Sequence, residues 1–203
     1  MIESTTRKLP EEEQHLFNVM SSDKFLKMQG LGNELPFFIY PFPPQLALEV
    51  ESAQKRITNR LENSGIHVAV INIYDIVLNI LNQHGVLDDL LSMEPGISKV
   101  DLLDQMQSML DPSNDIAPAI KATLDENPDA QIVFLTGVGE VFPYIRTHNV
   151  LNNLQSVIKD LPVLTWFHGV YEQSDTIGSA LSLFGLTNND QYYRARDIRF
   201  QEA

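Results

Sequence analysis

Residues 131–154, QIVFLTGVGEVFPYIRTHNVLNNL, constrain the fold more than any other stretch of the chain. Ile132-Val133-Phe134-Leu135 is a short, β-branched apolar run, the pattern of a strand buried on both faces. A strand of that kind needs cover from above and below, which in practice means helices on either side of a parallel sheet. Thr136-Gly137-Val138-Gly139 then reads as a tight turn, and Pro143 falls near the expected start of a helix running to about Leu154. Strand, glycine turn and helix N-terminus together form the commonest ligand-facing edge in α/β proteins.

The rest of the chain repeats this alternation. Pro10, followed by Glu11, Glu12 and Glu13, suits the first turn of a helix. Phe37-Phe38-Ile39-Tyr40 reads as a strand between Pro36 and Pro41, and the flanking prolines predict an edge position or a very short element. The glycine-containing turn at 30–34 precedes that strand and lacks a Gly-Lys-Ser/Thr ending, so it is no phosphate-binding loop. Leu46, Val50, Ala53, Ile57 and Leu61 keep helical spacing across 45–63, and Gly65 follows as a left-handed cap. Ile66 to Ile73 is the second strand. Tyr74-Asp75 closes it, with Asp75 placed to cap the next helix.

Residues 76–127 read as a helical insertion, an inserted hairpin beside the sheet, broken at Pro95-Gly96 and at Asp111-Pro112. Val100, Leu103, Met106, Gln107 and Leu110 supply its apolar stripe. After the opening stretch, Val163 to Phe167 forms a fourth strand closed by His168-Gly169. Gly178 to Phe184 reads as a short helix, and Tyr193 to Ile198 as a last strand on which Arg194 and Arg196 share a face. The expected fold class is α/β, a single domain over 1–203: a mainly parallel four- or five-stranded sheet with helices on both faces and an acidic helical insertion.

Charge narrows the function classes. With 27 acidic against 14 basic side chains the net charge is −13, which opposes a phosphate backbone and argues against direct nucleic-acid binding. The acidity is regional, since between Asp75 and Asp129 only Lys99 and Lys121 are basic. That region is either a solvated helical face or a docking surface for a basic partner, with Asp101, Asp104 and Asp111 as candidate contacts and Arg194 and Arg196 as candidates elsewhere. The chain has no cysteine, which excludes disulfides and thiolate chemistry and fits a reducing cytoplasm. No membrane span or signal peptide is expected.

The strand ends are expected to gather Pro41, Tyr74-Asp75, Thr136-Gly137 and His168-Gly169 along one rim. No Gly-x-Ser-x-Gly elbow is present, and Gly-Val-Gly-Glu lacks the third glycine of a dinucleotide fingerprint. His84, His148 and His168 show no metal-ligand spacing. Neither a catalytic set, nor a metal site, nor a cofactor is therefore expected; Gly137, Gly139 and Arg146 are the weak candidates for holding a phosphate. Arg146, His148, Asn149, Asn152 and Asn153 form the densest polar cluster. Buried or half-buried amides of this kind tie loop backbone to a helix, so His148 and the three asparagines are candidate structural residues of the rim.

Taken together, GLGNELPFFIYPF, FLTGVGEVFPYIRTHNVLNNLQ, LPVLTWFHGVYEQ and SLFGL followed by YYRARDI resemble the BrxB family, a core component of bacteriophage exclusion (BREX) systems. The resemblance runs from about Glu11 to Ile198, with one departure at Phe167-His168-Gly169, where the family shows proline before the glycine. It implies a cytoplasmic bacterial protein working with a PglZ-type phosphatase-like protein, and with the methyltransferase and ATPase of the same system. It carries over no catalytic residues. Two function classes follow: a non-catalytic scaffold or adaptor binding protein partners, including a second copy as a homodimer; or a degenerate nucleotide- or phosphate-binding domain.

Overall fold

The computed structural model describes residues 9–29, 36–174, 178–184, 190–191 and 195–203. Five strands run parallel in the order β2 (Val68–Asn72), β3 (Ile132–Thr136), β4 (Val163–Ser174), β1 (Phe37–Phe42) and β7 (Arg196–Asp197). The expected parallel α/β sheet is thus present. Every side chain of β1 is buried, as are Ile132 to Leu135 of β3, so the central strands need cover on both faces.

One face is covered by α1 (Leu9–Met20), α2 (Asp23–Leu26) and α3 (Ala47–Asn63). Phe38, Tyr40, Phe134, Leu164 and Trp166 meet Leu16, Val19, Phe25, Val50, Ile57 and Leu61 there. On the other face lie α4 (Ile73–Gln83), α7 (Ala117–Asp125) and α8 (Thr147–Leu154), whose Ile76, Ile80, Ile120 and Leu151 pack on Phe37, Ile39, Ile71, Val133 and Leu135. The 76–127 segment therefore lies over the sheet rather than beside it. Its outer part, α5 (Leu87–Met93) and α6 (Lys99–Met109), is attached thinly: α6 has no fully buried residue, and Val100, expected in its apolar stripe, is 66% exposed. The breaks fall as expected, with a 3-10 turn at Glu94–Gly96 and an Asp111-capped π turn at Pro112–Ile116.

Several expectations fail, each for a physical reason. The first strand is internal and includes Pro41. Pro36 gives its carbonyl to the Val163 N–H, so by alternation the backbone of Pro41 turns away from β4. On that far side β7 pairs only with Phe38 and Ile39, so the missing N–H of Pro41 costs no ladder bond. The cap of α4 is Asn72, whose Oδ1 accepts from the Tyr74 N–H, and Asp75 sits in the first turn instead.

The helix expected from near Pro143 begins only at Thr147. Val141 and Ile145 have helical spacing, but they serve as buried anchors of a turn closed by the Ile145 N–H on the Val141 carbonyl. His168-Gly169 does not end the fourth strand. β4 leaves the parallel sheet there and pairs antiparallel with β5 (Gly178–Leu183), the segment expected to be helical, which pairs in turn with β6 (Asp190–Gln191). Gly169 permits this, because a Cβ at that position would lie 2.2 Å from the Ser182 carbonyl oxygen. Of the expected last strand, β7 accounts for two residues; Tyr193 and Arg194 lie outside the described residues, as does the 30–34 turn.

Candidate functional site

A cleft of about 490 Å³ opens at the C-terminal edge of the sheet, on the α3 side. Of the rim expected from the sequence, Asp75, Thr136, Gly137 and His168 line it, joined by Phe42 and Asn72 at the ends of β1 and β2, whereas Pro41, Tyr74 and Gly169 do not. Val70, Trp166 and the first turns of α3 complete the walls. Parallel strands dictate this convergence, because all their C-terminal ends face one way.

The glycine turn does not form a phosphate cradle. Gly137 has φ +74, and a Cβ on it would lie 2.0 Å from Asn72 Oδ1 and 3.0 Å from the Tyr74 nitrogen. Its bare Cα lets the β3 turn close onto the capped N-terminus of α4, so the left-handed conformation serves a clasp between neighbouring strand ends. The next helix in sequence starts ten residues after Gly137, at Thr147, so its N-terminus does not sit at the turn. Gly139 packs against the imidazole of His168, with its would-be Cβ 2.9 Å from Nδ1. Neither Gly139 nor Arg146 lines the cleft.

Electrostatics oppose an anion as well. Glu51, Asp75 and Glu140 face the cleft, and its one lysine, Lys55, is bonded to Glu51 at 2.6 Å. Burial pulls the pKa of His168 below the ordinary histidine value, only partly offset by the nearby Glu140 charge, so the ring is neutral at pH 7. It lies edge-on to Phe42, with ring centres 4.6 Å apart.

The polar cluster on α8 lies elsewhere. Asn149 and Asn152 are exposed, Asn153 donates from Nδ2 to the Asn149 carbonyl at 2.8 Å, and His148 is half-buried. Arg146 is exposed just before the helix, its carbonyl accepting from the N–H groups of Asn149 and Val150. None of these residues reaches the strand-end cleft. Three-residue spacing disclosed the helix but not its direction, since Thr147, Val150, Leu151 and Leu154 turn it toward the other core.

Of the acidic candidates, Asp111 is committed to the backbone, accepting from the Ser113 and Asn114 N–H groups at 2.8 and 2.7 Å. Asp101 shares a reciprocal cap with Ser98, which donates to its carboxylate at 2.7 Å. Asp104 is exposed and has no such bond. Arg196 is half-buried on β7, and Arg194 lies outside the described residues. Trp166 and Asp197 are the residues that sequence reasoning passed over. Asp197 is 5% exposed and holds Arg199 in a two-pronged ion pair. The Asp-Ile-Arg spacing was its available signal.

Fold and site together define an α/β domain whose strand-end rim is acidic, aromatic-floored and clasped by its own side chains. The family model described as "BREX protein BrxB" matches residues 69–198. A BREX protein BrxB of Bacillus cereus (strain H3081.97) is 32% identical over 190 residues, covering 93% of this chain and 96% of that relative. A second, from Escherichia coli O9:H4 (strain HS), is 31% identical over 176 residues, covering 87% and 84%. No solved structure matches the chain. The chain belongs to the BrxB family of bacteriophage-exclusion proteins, and this membership supports a role in phage defence. No helix among the described residues is long and apolar enough to cross a membrane.

Proposed function

We propose that the protein is a non-catalytic adaptor of its defence system, docking a basic protein partner on the outer face of α5 and α6. The observation that carries this reading is the composition of that face. Leu91, Met93 and Val100 are 59%, 47% and 66% exposed. They stand among the exposed carboxylates Asp88, Asp89, Glu94 and Asp104. An apolar groove of about 290 Å³ between α4, α5 and α6, walled by Leu78, Leu87, Leu91 and Met106, opens beside them. Apolar contact supplies affinity in such a surface, while the surrounding charge sets the sign and the approach rate of the partner. The PglZ-type protein of the same system is the partner this reading selects first. The acidic cleft and the clasping role of Gly137 weigh against the nucleotide- or phosphate-binding alternative.

Co-expression with the PglZ-type protein, followed by affinity capture, tests the reading. Reversing Asp88, Asp89 and Asp104 to lysine is expected to weaken capture about tenfold or more at low salt, and the wild-type complex is expected to weaken as salt rises. Asp101 and Asp111 are left intact because the Asp101 carboxylate holds the capping Ser98 hydroxyl and the Asp111 carboxylate caps the backbone of the next turn. Capture of the triple variant at wild-type strength would remove the acidic-face docking mode.

A further inference from the structure

If the outer face of α5 and α6 docks a partner, as the adaptor reading holds, the groove beside that face restricts what the partner can insert. Leu78 of α4, Leu87 and Leu91 of α5 and Met106 of α6 wall it, and Val141 and Tyr144 of the turn after β3 join them. Along their lengths these helices bond their backbone groups internally, so they offer the groove side chains alone. The turn is no different: its Val141 carbonyl accepts from the Ile145 N–H, and its Pro143 carbonyl from Gln107 Nε2 at 3.4 Å. An extended segment entering here would bury backbone N–H and C=O groups against carbon, with no strand edge to pair them, and each such group costs free energy. An α-helix brings its backbone bonds with it and presents only side chains.

Charge sets the sign of that helix. Between Leu87 and Met109, Asp88, Asp89, Glu94, Asp101 and Asp104 stand against Lys99 alone. Glu94 lines the groove itself, Glu140 lines both it and the strand-end cleft, and no basic side chain lines it among the described residues. We propose that the groove takes one basic amphipathic α-helix of the partner. Apolar side chains at i, i+3 or i+4, and i+7 fill the groove, and lysines or arginines beside that stripe meet Glu94, Glu140 and the exposed carboxylates of Asp88, Asp89 and Asp104. An acidic helix fits the same walls and is repelled, while a basic extended tail keeps the charge pairing and leaves its own backbone unpaired. A second copy of this chain, at net charge −13, brings the wrong sign. α6 has no fully buried residue, so it is the wall that yields to admit the stripe.

Two dye-labelled peptides of about 14 residues, made of leucine and lysine in identical composition, test the proposal. In one the leucines recur with helical period, and in the other they alternate with lysine, so charge is equal and only the favoured backbone differs. The full chain is expected to bind the helix-period peptide saturably by fluorescence anisotropy, with a gain in helical circular dichroism. The alternating isomer, titrated where it is monomeric, is expected to bind about fivefold more weakly or worse, and a glutamate version of the helix-period peptide not at all. Leu91→Gln with Met106→Gln removes apolar wall and keeps every carboxylate, and is expected to weaken the helix-period peptide about fivefold or more. Leu91→Gln alone, on an exposed side chain, guards against a folding defect and is expected to weaken it about threefold. Absent binding of the helix-period peptide overturns the proposal. So does equal binding of the alternating isomer or of the glutamate version, or undiminished binding by both wall variants. Each of these results leaves the acidic-face reading standing, since that reading falls only if the Asp88, Asp89 and Asp104 reversal leaves capture of the PglZ-type protein intact.

Discussion

Gly137→Ala is expected to lower stability by about 3 kcal/mol, read as the free energy of unfolding in urea. About 1–2 kcal/mol comes from forcing a side chain into the left-handed region that Gly137 occupies at φ +74. The remainder comes from the new Cβ, which would lie 2.0 Å from Asn72 Oδ1. Asn72 can yield only by releasing the Tyr74 N–H it caps at 2.9 Å, and a lost cap costs about 1 kcal/mol. The two residues should therefore couple. Asn72→Ala alone is expected to cost about 1 kcal/mol, and Gly137→Ala added to it about 1–2 kcal/mol rather than about 3. Costs that simply add would break the link between glycine turn and helix cap. A Gly137→Ala protein of wild-type stability would instead return the turn to a ligand-binding role.

That coupling explains why the opening stretch misleads as a sequence. Strand, glycine and helix occur in the order of a phosphate site, but the pattern carries no information about what fills the space beside the glycine. Here Asn72, 65 positions earlier in the chain, fills it. The parallel sheet was legible because Ile132 to Leu135, Val163 to Phe167 and the helical stripe of α3 are strongly periodic. The antiparallel extension left a weaker trace. Tyr171 is buried between exposed Val170 and Glu172, and Leu181 and Leu183 are both buried, so period two was present across Gly169. Gly169 looked like an end because a glycine in a strand more often marks a break than a close approach. Asp75, Thr136, Gly137 and His168 of the rim were foreseen from topology, whereas the tryptophan beneath them was not. Trp166 reads from sequence as one more apolar residue of a buried strand, and only burial combined with an unpartnered nitrogen distinguishes it.

The second large effect is expected at the far edge of the sheet, where Asp197→Ala should cost about 2–3 kcal/mol. Asp197 pairs in register with Ile39, so it stands where the two-residue β7 closes the sheet beside β1. Its carboxylate accepts from the Arg199 backbone N–H at 3.0 Å and from the Arg199 guanidinium at 2.6 to 3.1 Å. Breaking a buried ion pair by removing one partner costs about 3–5 kcal/mol, but the Arg199 side chain is 34% exposed and regains water, which lowers the figure. Burial by itself pulls the Arg199 pKa down, and the bonds and charge of Asp197 outweigh it, so the guanidinium stays charged and needs its counter-ion. The same charges surround Tyr40, whose hydroxyl donates to Glu12 at 2.7 Å and is pushed well above its usual range, first by burial and then by that bond. Asp197→Asn keeps an acceptor for the Arg199 N–H and loses the charge, so it should fall between wild type and alanine, at about 1–2 kcal/mol. Urea denaturation of the three proteins orders them. An asparagine variant as unstable as alanine would show that charge, rather than the backbone cap, holds the chain's last turn onto β1.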